Sequence, residues 1–162
     1  MSFEGLNRMP DGPRYDDDFY AWTQYQAEVL RGLRTRDNRF DREHVAEEIE
    51  DLGKSERDVV RGQVRRILEH FLKLAYSRAA GPRYGWMGSV VDSRAVLEDK
   101  ITATLQRDVG ETLPRLYQNA RRAVELSFKE YGEAASLPAE CPYTIEQVLE
   151  QDWYPEPLQE PK

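Results

Sequence analysis

Residues 42–76 read REHVAEEIEDLGKSERDVVRGQVRRILEHFLKLAY and carry the longest helical pattern of the chain. Apolar residues recur there every three or four positions, which is the spacing of one face of an α-helix. Glu56, Gln63 and His70 fall seven residues apart on that face, where a core helix normally carries Leu or Ile. A buried carboxylate must be paired, neutralised or bound to a ligand. The predicted inward stripe consists of Val45, Ile49, Leu52, Glu56, Val59, Gln63, Ile67, His70 and Leu74.

The remaining sequence predicts helices on both sides of this stretch. Helical patterns cover residues 18–30, 86–107 and 113–132, and a shorter one covers 145–150. Thr144 and Gln147 have the spacing of a capping box in front of the last of these helices. No alternation typical of strands and no hairpin turn sequence is present. The predicted fold class is therefore all-α, a bundle of four main helices with a long, bent second helix and a short C-terminal helix.

Length and composition favour one soluble domain. We expect a flexible lead-in over residues 1–15, a single helical domain over 16–155 and a flexible tail over 156–162. The 162 residues carry a net charge of −7, which disfavours a general nucleic-acid binder because such proteins need a basic surface. No apolar run approaches the roughly 20 residues that cross a bilayer, and the N-terminal residues lack the apolar core of a signal peptide. Cys141 is the single cysteine, so no intrachain disulfide can form, and we expect a cytoplasmic protein without membrane contact.

The polar positions of the stripe are the candidate pocket or polar network. If all apolar stripes converge, Glu56, Gln63 and His70 face Gln26 on the first helix and Arg94 on the third. Arg94 is the natural partner of Glu56, because a guanidinium binds a carboxylate with two hydrogen bonds. Two interpretations stay open. The network either sets the register of the bundle or lines a pocket that orients a small ligand.

Other clusters favour structural interpretations. His44 shares a helix face with Glu47 and Glu48, but di-metal bundles repeat a Glu-x-x-His pattern on a second helix. The chain has no such second copy, so we expect a solvated acidic surface, no metal and no cofactor. Cys141 precedes a capped helix, and we expect it to anchor the C-terminal segment rather than act as a nucleophile.

Three arginines lie along one edge of the second helix, at positions 57, 61 and 65. Such a ladder could contact an anion or a nucleic-acid backbone. It could equally pair with acids on the third helix, of which Asp92, Glu98 and Asp99 are the candidates. One basic edge in a protein of net charge −7 is weak support for nucleic acid.

Three continuous segments are similar to a known family. They are YDDDFYAWT at 15–23, AEEIEDLGKSER at 46–57 followed by HFLK at 70–73, and PAECPYTIEQVL at 138–149. Together they resemble the bacterial family called domain of unknown function twenty-nine. The resemblance implies a small bacterial helical protein, and it implies no activity. One departure is that the family usually has Trp after the HFLK segment, where this chain reads Leu74-Ala75-Tyr76.

The leading functional hypothesis is a non-enzymatic interaction module that binds a protein partner or itself as a homo-oligomer. No catalytic motif is present, and a second helix of about 50 Å is longer than a compact domain of this size is wide. A bend near Gly53, or a protruding half that packs on a partner, would resolve that mismatch. The alternative is a small-ligand or metal-binding bundle, or an enzyme, that uses the polar stripe. In that case Glu56 would be the acid or base and Arg94 would bind an anion.

Overall fold

The computed structural model describes residues 12–162, and within that range the protein is all-helical with no β-strand. The prediction of four main helices and a short C-terminal helix is confirmed. Residues 1–11 of the predicted lead-in lie outside the described residues. Among the helices that are described, none combines the length and the apolarity needed to cross a membrane. The five helices are α1 (Phe19–Gly32), α2 (Arg42–Tyr76), α3 (Arg83–Lys100), α4 (Ala103–Glu130) and α5 (Ile145–Leu149).

The bounds of α2 and the capped start of α5 agree with the sequence, whereas the start of α4 does not. The capping box of Thr144 and Gln147 is present. The third helix ends at Lys100 rather than at residue 107, and α4 then begins at Ala103. Pro114, predicted to open the fourth helix, lies inside it. The new start has a tertiary cause: Asp18, which caps α1 by accepting from the N–H of Ala21 at 2.9 Å, also accepts from the N–H of Thr104 at 3.3 Å.

The described chain groups into two compact units. The first contains residues 12–57 together with Thr102–Thr104, and the second contains Asp58–Ile101 and Leu105–Lys162. Helix α2 supplies residues to both units. The range predicted as one domain, 16–155, therefore includes parts of two units, which are described in turn.

In the first unit, α1 and the beginning of α2 form an antiparallel hairpin with small residues between the helices. Thr23 and Ala27 on α1 and Ala46 on α2 are fully buried. A Cβ atom added to Gly53 would overlap Oγ1 of Thr23, so the glycine allows the backbone of α2 to approach α1. The amide of Gln24 also donates to the carbonyl of Glu50 at 3.1 Å. Gly53 lies in this contact, so a residue that normally weakens a helix interior has a packing role here.

The predicted stripe of α2 is wrong over its first half. The side chains of Val45, Leu52 and Val59 are exposed by 37%, 57% and 36%. The buried positions are instead the next residue in each case, Ala46, Gly53 and Val60. A pattern based on large apolar residues predicts that valine and leucine are buried. The close contact between the two helices instead buries small residues. In the second half, Ile67 and Leu74 are buried as predicted.

The second unit has a larger apolar core built from the rest of α2 with α3, α4 and α5. Arg61 of α2 makes a two-bond ion pair with Asp108 of α4, with N–O distances of 2.7 and 2.6 Å. Tyr131, directly after α4, is exposed. The fully or nearly buried core residues include Val60, Val64, Ile67, Leu68, Phe71, Leu72, Val90, Leu97, Val109, Tyr117, Ala120, Val124 and Val148.

The C-terminal tail is attached to the end of α2 and the turn that follows it. The N–H of Leu158 donates to the carbonyl of Ala75 at 2.9 Å. The N–H of Lys162 donates to the carbonyl of Arg78 at 2.8 Å, and its own carbonyl accepts from Ala80 at 3.3 Å. The tail predicted as flexible over 156–162 therefore makes ladder-like backbone bonds, which its Pro-rich sequence does not reveal.

Two glycines of α2 should respond in opposite directions to alanine. Gly53→Ala must displace Thr23, and overpacking of this kind typically costs about 1–3 kcal/mol. Gly62→Ala, the matched control, meets no atom within 4 Å and should stabilise the helix by up to about 1 kcal/mol. Urea denaturation followed by circular dichroism gives both free energies of unfolding. Equal effects of the two substitutions would contradict the close contact at Gly53.

Candidate functional site

The large apolar residues of the hairpin lie beside the helix contact rather than in it. Val29 of α1 and Leu33, the residue that follows α1, are each 46% exposed, and Trp22 and Ile49 are half-buried. Scattered exposed apolar residues are normal, whereas a contiguous group marks a binding surface. We name this group the hairpin face and define it by Trp22, Val29, Leu33, Val45, Ile49 and Leu52.

Helical periodicity places both rows of the hairpin face on one side of the helix pair. The pairing of Thr23 with Gly53 and of Leu33 with Arg42 shows that the two helices run antiparallel. At 100° per residue, Trp22, Val29 and Leu33 point away from the direction of the buried Ala27. They turn toward the same side of the helix pair as Val45, Ile49 and Leu52 on α2.

Ion pairs occupy the opposite side of the hairpin. The guanidinium of Arg31 lies 3.3 Å from Glu43 and 3.2 Å from Glu50, and Lys54 lies 3.2 Å from Glu50. These pairs lower the pKa of Glu50, mainly through the hydrogen bond from Lys54 and then that from Arg31. The hairpin thus has one charged side and one apolar side.

Two of the five predicted network residues border this face. Gln26 lies on the α1 row between Trp22 and Leu33, and Glu56 follows Leu52 on the row of α2 by helical periodicity. Both side chains are half-buried and belong to the first unit. Gln63, His70 and Arg94 belong to the second unit. The five residues are therefore divided between the units, and the polar stripe of α2 is an edge of the buried surface rather than its centre.

His70 has a local partner. Its Nδ1 lies 2.7 Å from the carbonyl of Arg66, one turn earlier on α2. Desolvation lowers the pKa of the half-buried ring, which keeps it neutral at pH 7. Its neighbour Glu69 is the carboxyl on this part of α2 whose pKa burial raises, with Arg65 at 3.5 Å. The sequence pattern did not single out Glu69, because a charged residue beside an apolar stripe usually faces solvent.

Arg94 is buried, as predicted, but its partners are backbone oxygens. Its guanidinium donates to the carbonyls of Gln147, Val148, Gln151 and Trp153 at 2.8–3.1 Å. This set replaces the carboxylate that the sequence predicted as the partner. Burial lowers the pKa of Arg94, yet an arginine remains charged. The side chain therefore fastens the segment around α5 to α3.

Aromatic rings complete this contact of Arg94. Its Cζ lies 5.5 Å from the ring centre of Phe71 and 5.2 Å from that of Tyr154, within the range of cation–π attraction. Phe71 also meets Tyr143 and Trp153 edge to face. Because four hydrogen bonds join its guanidinium to carbonyl groups of the C-terminal segment, Arg94 acts as a structural clamp.

The acidic start of α2 is solvated, and its charges pair locally. Asp41 accepts from the N–H of His44 at 3.3 Å and lies 2.6 Å from its Nδ1. The hydrogen bond to Asp41 raises the pKa of His44. Between residues 12 and 162, no three His, Cys, Asp or Glu side chains are grouped so that they could hold a metal ion.

The basic edge and the cysteine also have structural surroundings. Arg61 binds Asp108 on α4 rather than the predicted acids on α3, and Arg65 binds Glu69 within α2. Burial raises the pKa of Cys141, which opposes formation of the nucleophilic thiolate. The thiol lies 3.4 Å from the carbonyl of Tyr143.

Removal of the Arg94 guanidinium should release the C-terminal segment. Arg94→Met leaves buried carbonyls without donors, and we expect a loss of at least about 3 kcal/mol of unfolding free energy. Arg94→Lys should recover little of it, because an ammonium cannot reproduce the planar fork. Arg115→Met on the exposed side of α4 is the control. Urea denaturation and the rate of proteolysis after residue 141 are the measurements, and wild-type values for Arg94→Met would contradict the clamp.

Comparisons with known proteins agree with this architecture. A solved structure described as an alpha-helical protein of unknown function, from Rhodospirillum rubrum, matches with a TM-score of 0.79. It is 27% identical over 88% of this chain and 93% of that one. No curated protein matches the chain. The model of the family "Domain of unknown function DUF29" matches residues 14–154, and the chain therefore belongs to the DUF29 family.

Proposed function

We propose that this protein is a non-enzymatic interaction module that binds an amphipathic helix of a partner protein on the hairpin face. The observation that carries the proposal is the exposure of Leu52, Val45, Val29 and Leu33 on one side of two antiparallel helices. An apolar surface of this kind gains free energy when another protein covers it, at about 25 cal/mol per Å² of apolar area.

The spacing of the rows favours a helix as the occupant. Val45, Ile49 and Leu52 are separated by four and three residues, and Trp22, Val29 and Leu33 by seven and four. Both rows have the spacing of helix ridges, against which a third helix can pack. Trp22 lies at one end of the hairpin face, where its ring meets Tyr15 at 4.9 Å and Phe19 at 5.9 Å between centres.

Charge favours a different protein over a second copy. Glu48 is exposed on the outer edge of the α2 row, and Asp41 lies one to two turns before it on the same edge. A second copy would bring the same acidic edge and another net charge of −7, which repel. A helix with an apolar stripe and basic flanks would be attracted instead.

A ligand-binding bundle that uses the polar stripe has less support. Arg94, the proposed anion-binding group, is occupied by carbonyl oxygens. We place the module in the cytoplasm as part of the same proposal, since its one cysteine can form no intrachain disulfide.

Model helices provide the direct test. A labelled synthetic helix with leucines on one face and lysines on its flanks should bind the protein, and the same helix with glutamates should bind at least tenfold more weakly. Leu52→Asp places a charge on the hairpin face and should weaken binding of the lysine helix at least tenfold, or by about 1.4 kcal/mol. Leu126→Asp, at a 70% exposed leucine of α4, is the matched control and should leave binding unchanged. Fluorescence anisotropy at two salt concentrations measures all four combinations.

Two results would overturn the proposal. One is equal binding of the two helices, or equal effects of the Leu52 and Leu126 substitutions. The other is a dimer in light scattering that Leu52→Asp dissociates while neither helix binds, which would assign the face to a second copy.

A further inference from the structure

A cavity of about 550 Å³ lies in the second unit, where α2 and α4 end and α3 begins. Its size falls within the range of small-molecule sites. Apolar and polar groups alternate around it, and none of them belongs to the hairpin face. Its polar walls include Lys73 on α2, Ser77 directly after that helix, Glu130 on α4 and Glu133, and its aromatic walls include Trp86 on α3 and Phe128 on α4.

The carboxylate of Glu133 is held in a defined position. Gly132 adopts a left-handed conformation with a φ of +67°, and the N–H of Glu133 then donates to the carbonyl of Phe128 at 2.8 Å. This is the Schellman ending of a helix. The buried hydroxyl of Ser77 donates to Oε1 of Glu133 at 2.6 Å and accepts from the N–H of Ala79 at 3.1 Å.

The second oxygen of the same carboxylate lacks a donor. Oε2 of Glu133 is screened from solvent and has no hydrogen-bond partner in the part of the chain that the structure describes. Such an orphaned acceptor destabilises the free protein, and more so when it is charged. A ligand with N–H donors, such as an ammonium group, would remove that cost once it displaces the side chains around the oxygen.

The other walls select the rest of the ligand. Lys73 lines the cavity, and an ammonium group there would favour a carboxylate on the ligand. Trp86 and Phe128 supply aromatic surface, which suits an apolar group and attracts a cation. A ligand that carries both charges satisfies Lys73 and Glu133 together without adding net charge to the cavity.

We propose that this cavity binds a small zwitterion of the amino-acid class, with its ammonium on Glu133, its carboxylate on Lys73 and an apolar side group against Trp86. The site is independent of the helix-binding function proposed for the hairpin face, because its walls belong to the second unit. Ser77 is a positioning residue in this arrangement, since it fixes the orientation of the carboxylate.

Three probes of similar shape test the assignment on the full chain. They are L-phenylalanine, which carries both charges, 2-phenylethylamine, which carries only the ammonium, and 3-phenylpropionate, which carries only the carboxylate. Calorimetric titration should show L-phenylalanine binding at least tenfold more tightly than either of the others. Quenching or a shift of tryptophan emission should accompany binding through Trp86.

Two substitutions should change the selectivity in opposite ways, which a general loss of stability cannot do. Glu133→Gln should weaken the binding of L-phenylalanine at least tenfold and leave the binding of 3-phenylpropionate unchanged or tighter. Lys73→Met should weaken the binding of L-phenylalanine to a similar extent and make 2-phenylethylamine the better ligand. Glu140→Gln and Lys129→Met, at exposed positions, are the matched controls and should leave all three affinities unchanged. Absence of binding for every probe, equal affinities for the three, or parallel losses in both variants would overturn the assignment.

Discussion

The close approach of α1 and α2 at Gly53 determines which side chains of the first unit are buried and which are exposed. Because Gly53 has no side chain, Thr23 can occupy the space beside it, and small residues fill the helix contact. The bulky apolar side chains are then displaced to one side of the pair, and the ion pairs of Arg31 take the other. The exposed leucine and valines of the hairpin face are thus a consequence of tight packing between the helices. Loss of that contact would also separate the two rows of the hairpin face.

In the second unit, the main constraint is the attachment of an irregular C-terminal segment to the helices. Carbonyl groups in such a segment have no helical or strand partners, and water is excluded where the segment meets the core. Arg94 supplies donors to four of them from one side chain. A polar residue in an apolar stripe is therefore not necessarily part of a site. Glu133 differs from Arg94, because its second carboxylate oxygen is left without a donor at a cavity wall.

Particular residues show which features of the fold can be predicted from the sequence pattern and which cannot. The bounds of α2 and the capping box at Thr144 depend on neighbours in sequence, and both were predictable. The start of α4 depends on Asp18, 86 residues away from Thr104, so local signals placed it too late. Arg94 was recognised as an inward residue, but its partners could not be, since carbonyl oxygens carry no sequence identity.

Local propensity and spacing alone establish that the protein is helical, how long its second helix is and which family it resembles, because helix formation and capping involve residues close in sequence. The side of each helix that is buried depended on three-dimensional packing. Val45 and Ala46 are both compatible with an inward position on α2, and only the close contact with α1 assigns burial to Ala46 and exposure to Val45. The same holds for the polar stripe: periodicity aligns Glu56, Gln63 and His70 along one edge, but the arrangement of the other helices sets what each side chain meets.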